Sequence, residues 1–184
     1  MELENELIQI IENDAWMISI LKTVRDLKLN DCWIGAGFVR NKIWDKKHGY
    51  QRTKLNDIDV IHFDKINSSK ECDLLIENQL KMIDPELNWS VKNQSRMHIR
   101  NNHTSYTNCE EAISFWPETA TSIAIRITQK NKIEYIAPHG LEDVFSLIVT
   151  PTPKFNLMIY NDRIQKKEWS KQWPKLSINF IHKS

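Results

Sequence analysis

The stretch from Trp33 to Asp64 constrains the fold more than any other part of this chain. It reads WIGAGFVRNKIWDKKHGYQRTKLNDIDVIHFD and contains three of the four glycines in the sequence. The apolar run Cys32, Trp33, Ile34 leads into Gly35 and Gly37, after which Phe38, Val39, Ile43 and Trp44 recur at helical spacing. That pattern predicts a strand over Asp31–Gly35, a tight glycine turn and a helix over Gly37–Lys47. Farther on, Asp57 and Asp59 are two apart inside the apolar run of Ile58, Val60, Ile61 and Phe63. Alternate residues of a strand project to one face, so the two carboxylates are expected side by side. Adjacent carboxylates repel unless a cation lies between them, and Mg²⁺ commonly takes one or two carboxylates plus substrate phosphates. Asp57 and Asp59 are therefore the candidate catalytic and metal-binding pair, for Mg²⁺ or Mn²⁺. A glycine turn opening a helix leaves backbone N–H groups facing an anion, with the helix dipole behind them. Gly35, Ala36, Gly37, Arg40 and Asn41 are accordingly the candidate nucleotide-binding residues, Arg40 reaching from one turn into the helix.

Residues 35–41, Gly-Ala-Gly-Phe-Val-Arg-Asn, followed by Asn-Asp-Ile-Asp at 56–59, resemble the signature of the polymerase-β-like nucleotidyltransferase superfamily. Within it the likeness is to the head of CCA-adding tRNA nucleotidyltransferases, whose pattern is Gly-Gly-x-Val-Arg-Asp and then Asp-x-Asp. Over residues 5 to 175 the chain is similar to single-domain bacterial nucleotidyltransferase family proteins, in which stretches like VKNQSRMHIRN, WPETATSIAIR and APHGLEDVF recur. Neither short motif is specific alone; their order, separation and expected placement on helix and strand carry the signal. The resemblance implies an α+β fold, a polymerase-β-like head with a mixed sheet flanked by helices and a C-terminal helical segment. Residues 1–150 are expected to form the transferase-like domain with its N-terminal helical region, and 151–184 a helical appendage packed on it. The implied activity is transfer of a nucleoside monophosphate from an NTP to an acceptor hydroxyl, with release of pyrophosphate. The alternative is a catalytically degenerate fold that binds nucleotide or RNA. The acceptor, RNA or protein among others, stays open.

One departure bears on that choice. In such transferases the strand after Asp-x-Asp usually carries a third carboxylate, whereas residues 89–94 here are Trp-Ser-Val-Lys-Asn-Gln. Glu118, Glu134 and Asp143 are the remaining candidates for it. Just beyond lie Arg96 and Arg100, four apart, so a short helix would put two phosphate-binding guanidiniums on one face. They join the candidate nucleotide ligands, weighed against a salt-bridged surface helix. Lys46, Lys47 and Arg52 in the basic loop could steer triphosphate or simply be solvated, and His48 reads as structural.

Composition excludes several classes. A formal charge of +1, from 25 basic and 24 acidic residues, does not describe a uniformly basic nucleic-acid-binding surface. No run approaches the roughly 18 apolar residues of a membrane span, and the acidic start MELENELIQI carries no secretory signal pattern. Three scattered cysteines fit a reducing cytoplasm better than a disulfide framework or a Zn site. For the rest, the chain predicts an amphipathic N-terminal region broken at Asn13-Asp14 and a helix capped at Ser68. It also predicts a helix capped at Asn108, a hairpin over Ile123–Ile136 and a long helix from about Phe155 to Trp173.

Overall fold

The computed structural model describes residues 1–153 and 155–180. α1 (Glu2–Glu12) and α2 (Ala15–Asp26) are separate helices because Asp14 caps the second, its carboxylate accepting from the Met17 N–H. β1 (Trp33–Gly35) leads into α3 (Gly37–His48), which stops where Gly49 adopts a left-handed φ of 71°. β2 (Ile58–His62), α4 (Lys70–Ile83) and β3 (Trp89–Asn93) follow. α4 is capped by Ser69, which accepts from the Cys72 N–H, one residue later than the sequence pattern suggests. Two short helices, α5 (Met97–Asn101) and α6 (Cys109–Ile113), precede the hairpin of β4 (Ala124–Ile127) and β5 (Ile133–Ile136). α7 (Glu142–Phe145), β6 (Ile148–Val149), α8 (Leu157–Lys167), α9 (Trp169–Gln172) and β7 (Ser177–Ile178) complete the described chain.

Five strands form one mixed sheet in the order β3-β2-β1-β4-β5. β2 and β3, joined by α4, are parallel, and every other adjacent pair is antiparallel. The alternation of side chains along β2 divides the interior in two. Ile58 and Val60 belong to the larger core, packed with α1, α2 and α3, while Ile61 belongs to a smaller one with Trp33, Tyr106, Cys109 and Ile113. The α+β class and the helix-flanked mixed sheet are thus as the resemblance implies.

The C-terminal part differs in detail from the expectation. The single helix foreseen over 155–173 is two, since Glu168 takes a left-handed φ of 49° between α8 and α9. That break turns Trp169 and Trp173 inward against Trp44 of α3, with ring centroids 5.4 and 5.1 Å away. The Trp173 indole N–H donates to Asp45 at 2.8 Å, and β7 pairs in parallel with β6, two strands too short to be read from sequence pattern.

Candidate active site

The turn between β1 and α3 is built differently from the sequence reading. Gly35 lies in the strand and Gly37 in the helix, and the residue with positive φ is Ala36, at φ 52° and ψ −122°. Gly35 is required instead by close approach: a Cβ there would meet the tip of the Trp116 ring at 2.9 Å and the Ile123 carbonyl at 3.1 Å. No side chain caps α3; the Val39 and Arg40 N–H groups bond to the Ala36 carbonyl, which leaves those of Gly37 and Phe38 for another acceptor. Gly35 is the register partner of Asp59 on β2, which brings the carboxylate to the start of that turn.

Asp57, immediately before β2, and Asp59, within it, line one cleft together with Ala36, Gly37, Arg40 and Asn41. Burial pushes the Asp59 carboxyl up to about 6, with the Asp57 charge adding to the effect; a hydrogen bond from Ser90 and the charges of Arg40 and Lys92 oppose it. Arg40 is no freely reaching arm. Its guanidinium is buried, donates to Asn41 Oδ1 and to Thr121 Oγ1 at 2.9 and 2.8 Å, and stacks under Trp169 with 4.3 Å to the ring centroid. Burial lowers its pKa to about 10, although Glu118, Asp59 and Asp57 favour the charged form, so the cation persists at neutral pH.

Other cations in the cleft escaped the sequence reading. Lys54, Arg163 and Lys167 share its wall. Arg163 and Lys167 stand four apart on α8, a spacing that was legible, but nothing in the sequence says that α8 faces the aspartates. Arg163 is held by the fully buried Glu118, Nε to Oε1 at 2.5 Å. Glu118 is therefore the counter-ion of an arginine and is not among the residues lining the cleft. Glu134 pairs with Arg126 on the far hairpin, and Asp143 accepts from Thr119 at 2.5 Å. None of the three foreseen acids joins the aspartates. The residue in register beside Asp59 on β3 is Ser90.

Arg96 and Arg100 part company. Residues 94–96 form a 3₁₀ turn ahead of α5, which rotates Arg96 toward the buried Asp73–His62 pair, where it ion-pairs with Asp73. Arg100 instead lines a recess that adjoins the cleft and shares Ala36, Asp59, Thr121 and Arg163 with it. The basic loop is likewise engaged: Lys47 binds Glu6 at 3.0 Å, and Arg52 binds Asp14 at 2.7 Å while covering Trp16. His48 accepts from the Lys175 N–H and contacts the Trp44 carbonyl, a structural role.

A family model described as nucleotidyltransferase matches residues 22–178. The chain belongs to that nucleotidyltransferase family. A solved structure described as an NMR structure revealing a CCA-adding enzyme head domain is 36% identical, covers 96% of each chain and has a TM-score of 0.85. A CCA-adding enzyme in complex with CTP shares the fold at 13% identity and TM-score 0.60, matching 96% of this chain but 43% of that chain. A tRNA nucleotidyltransferase complexed with a primer tRNA and an incoming ATP analogue aligns at 12% identity and TM-score 0.54, over 87% of this chain and 46% of its own. This chain thus spans less than half the length of those two enzymes. No curated protein matches it.

The donor set of the aspartate pair suits a hard divalent cation. Two carboxylates are close enough for Asp57 to raise the pKa of Asp59, and the pair lies beside backbone and guanidinium groups suited to phosphate. Among the described residues no cluster of three or more His, Cys, Asp or Glu side chains could enclose a metal ion. Further ligands would come from substrate phosphates and water, the habit of Mg²⁺.

Proposed function

We propose that this protein is a metal-dependent nucleotidyltransferase that moves a nucleoside monophosphate from an NTP to an acceptor hydroxyl. The observation that carries the reading is the convergence of Asp57, Asp59, the N-terminus of α3 and the Arg40–Arg163–Lys167 wall on one cleft. Asp57 and Asp59 would hold Mg²⁺ or Mn²⁺, which supplies charge neutralisation for the triphosphate and for the departing pyrophosphate. The backbone of Gly37 at the start of α3 and the fixed guanidinium of Arg40 orient the phosphates, and Arg163 and Lys167 add positive charge. An acceptor oxygen forms the new bond to the α-phosphorus as the bond to the β-phosphate oxygen breaks, and the hydroxyl proton passes to water. No covalent intermediate on the protein is needed; alignment and charge do the chemistry. The three free cysteines fit a cytoplasmic setting, and among the described residues no helix is long and apolar enough to cross a membrane.

One observation favours a second reading, nucleotide binding without turnover: Ser90 stands beside Asp59 in place of another acid. Thermal melts and pyrophosphate release separate the two. Wild type is expected to melt higher with Mg²⁺ and an NTP, and to release pyrophosphate when a cell extract supplies acceptor. Asp59→Asn should lose both responses while its metal-free melting temperature holds or rises, because one of two repelling carboxylates is gone. Binding without pyrophosphate release supports the second reading. A wild type indifferent to Mg²⁺ and every NTP, with a mutant that melts much lower, sinks the transferase.

A further inference from the structure

The cleft around Asp57 has a neighbour that also contains Asp59. It is a recess of about 370 Å³ that includes Ser90 and Lys92 from β3 and Arg100 from α5, with Trp116 and Met97 in its walls. A molecule seated there lies against Asp59, one of four residues common to both spaces with Ala36, Thr121 and Arg163, while Gly37, Arg40 and Lys167 line the cleft alone and stay free for the triphosphate. The two spaces therefore divide naturally between two substrates.

Charge identifies what the recess takes. Lys92 and Arg100 are exposed, and among the described residues neither is ion-paired; the Lys92 ammonium donates only to the Val91 carbonyl, at 2.9 Å. Arg52, Arg96 and Arg126, by contrast, are each held by a carboxylate. Among the described residues the only acid lining the recess is Asp59. Two unpaired cations match one phosphate group, and the apolar walls suit a short carbon skeleton. A polynucleotide would need a run of basic contacts along its backbone, and this chain has a formal charge of only +1.

We infer that the recess binds the acceptor, and that the acceptor is a small phosphorylated alcohol. Its phosphate rests on Lys92 and Arg100, and its hydroxyl points toward Asp59 and the α-phosphorus of the NTP. The oxygen of that hydroxyl bonds to the α-phosphorus, pyrophosphate leaves, the proton goes to water, and the product is a phosphodiester. This inference rests on the nucleotidyltransferase reading for the donor side, but the binding it requires is independent of NTP.

The test uses glycerol 3-phosphate, ribose 5-phosphate and fructose 6-phosphate, each beside its unphosphorylated counterpart, with a short RNA bearing a free 3′-hydroxyl as a further probe. In melts without nucleotide, at least one phosphorylated compound should raise the melting temperature and its counterpart should not. With NTP and Mg²⁺, the same compound should stimulate pyrophosphate release. Lys92→Gln and Arg100→Gln, both at exposed positions, should each raise its KM tenfold or more, and Arg100→Gln should leave the melting shift produced by NTP and Mg²⁺ as in wild type. If no phosphorylated compound binds, if the free alcohols serve equally, or if only the RNA stimulates release, the acceptor assignment is wrong. An intact NTP shift in those cases leaves the transferase standing; an absent NTP shift removes both.

Discussion

Ala36 carries the strain of the site. An alanine at φ 52° and ψ −122° sits where glycine is at ease, a distortion of about 1–3 kcal/mol, and it is held by an N–H bond to the Ile123 carbonyl at 3.0 Å. The family pattern quoted above has its first glycine at this place, followed by a second at the position of Gly37. Ala36→Gly should therefore stabilise the protein by about 1 kcal/mol after the entropy cost of glycine, raising the melting temperature by roughly 2–4 °C. A lowered melting temperature would show that the alanine methyl contributes packing that outweighs its strained backbone. The residue-level reading from sequence predicts a tight turn at Gly35 and Gly37, while the positive φ falls on Ala36 between them. It missed that Gly35 is small for another reason, the Trp116 ring lying on it, a contact between residues 81 positions apart that no local pattern reveals.

At the scale of elements, the hinge between α1 and α2 is more than a helix break. Asp14 caps α2 and also binds Lys42 of α3 and Arg52 of the following loop, at 2.7 Å each. Burial works against its charge, but hydrogen bonds from Lys42, the Met17 N–H and Arg52 outweigh that and hold its pKa at about 2. A carboxyl with a folded pKa below its unfolded value of roughly 3.9 stabilises the fold above that value and loses its contribution as pH falls toward the folded pKa. Asp14→Asn keeps a capping oxygen and loses the ion pairs. Denaturant melts should show wild type ahead by on the order of 1–2 kcal/mol at pH 6, with the gap closing between about pH 4 and pH 2. A gap that stays constant through that window would mean that Asp14 acts only as a cap. The same contact explains why Arg52 lies outside the cleft: its partner comes from a helix 38 residues earlier, while Lys54, two positions on, lines the cleft.

For the molecule as a whole, residues 151–180 are tied to the rest by more than surface contact. Trp169 and Trp173 pack on Trp44, Tyr160 donates to the Val149 carbonyl at 2.9 Å, and β7 pairs with β6. Arg40 lies between Trp44 and Trp169, so the same packing that closes the core also holds the cleft-lining guanidinium. Trp173→Ala should cost about 3–5 kcal/mol, since it opens a cavity under α3 and leaves Asp45 without the indole N–H. A chain ending at residue 150 should fare worse and fail to give a cooperative melt. Cooperative unfolding of that shortened chain at a near-native temperature would show that 151–184 is a separable appendage.

The sequence by itself determined the parts whose signal is local. The β1–turn–α3 unit, the Asp57–Asp59 pair, the break at Asp14, the cap at Asn108 and the β4–β5 hairpin each rest on spacing or on a capping residue a few positions away. The resemblance of residues 35–41 and 56–59 added the family and the mixed sheet. Tertiary structure decided what depends on which remote chains meet. It turned Arg96 away to Asp73 and left Arg100 facing the recess, although both had the same spacing and chemistry in the sequence. It set Ser90 next to Asp59 through strand register, gave Glu118 to Arg163, and broke the C-terminal helix so that Trp169 could cover Arg40 and Trp173 could pack on Trp44. A charge becomes a ligand or a strut according to the partner that reaches it first, and that partner is fixed by packing across the whole chain.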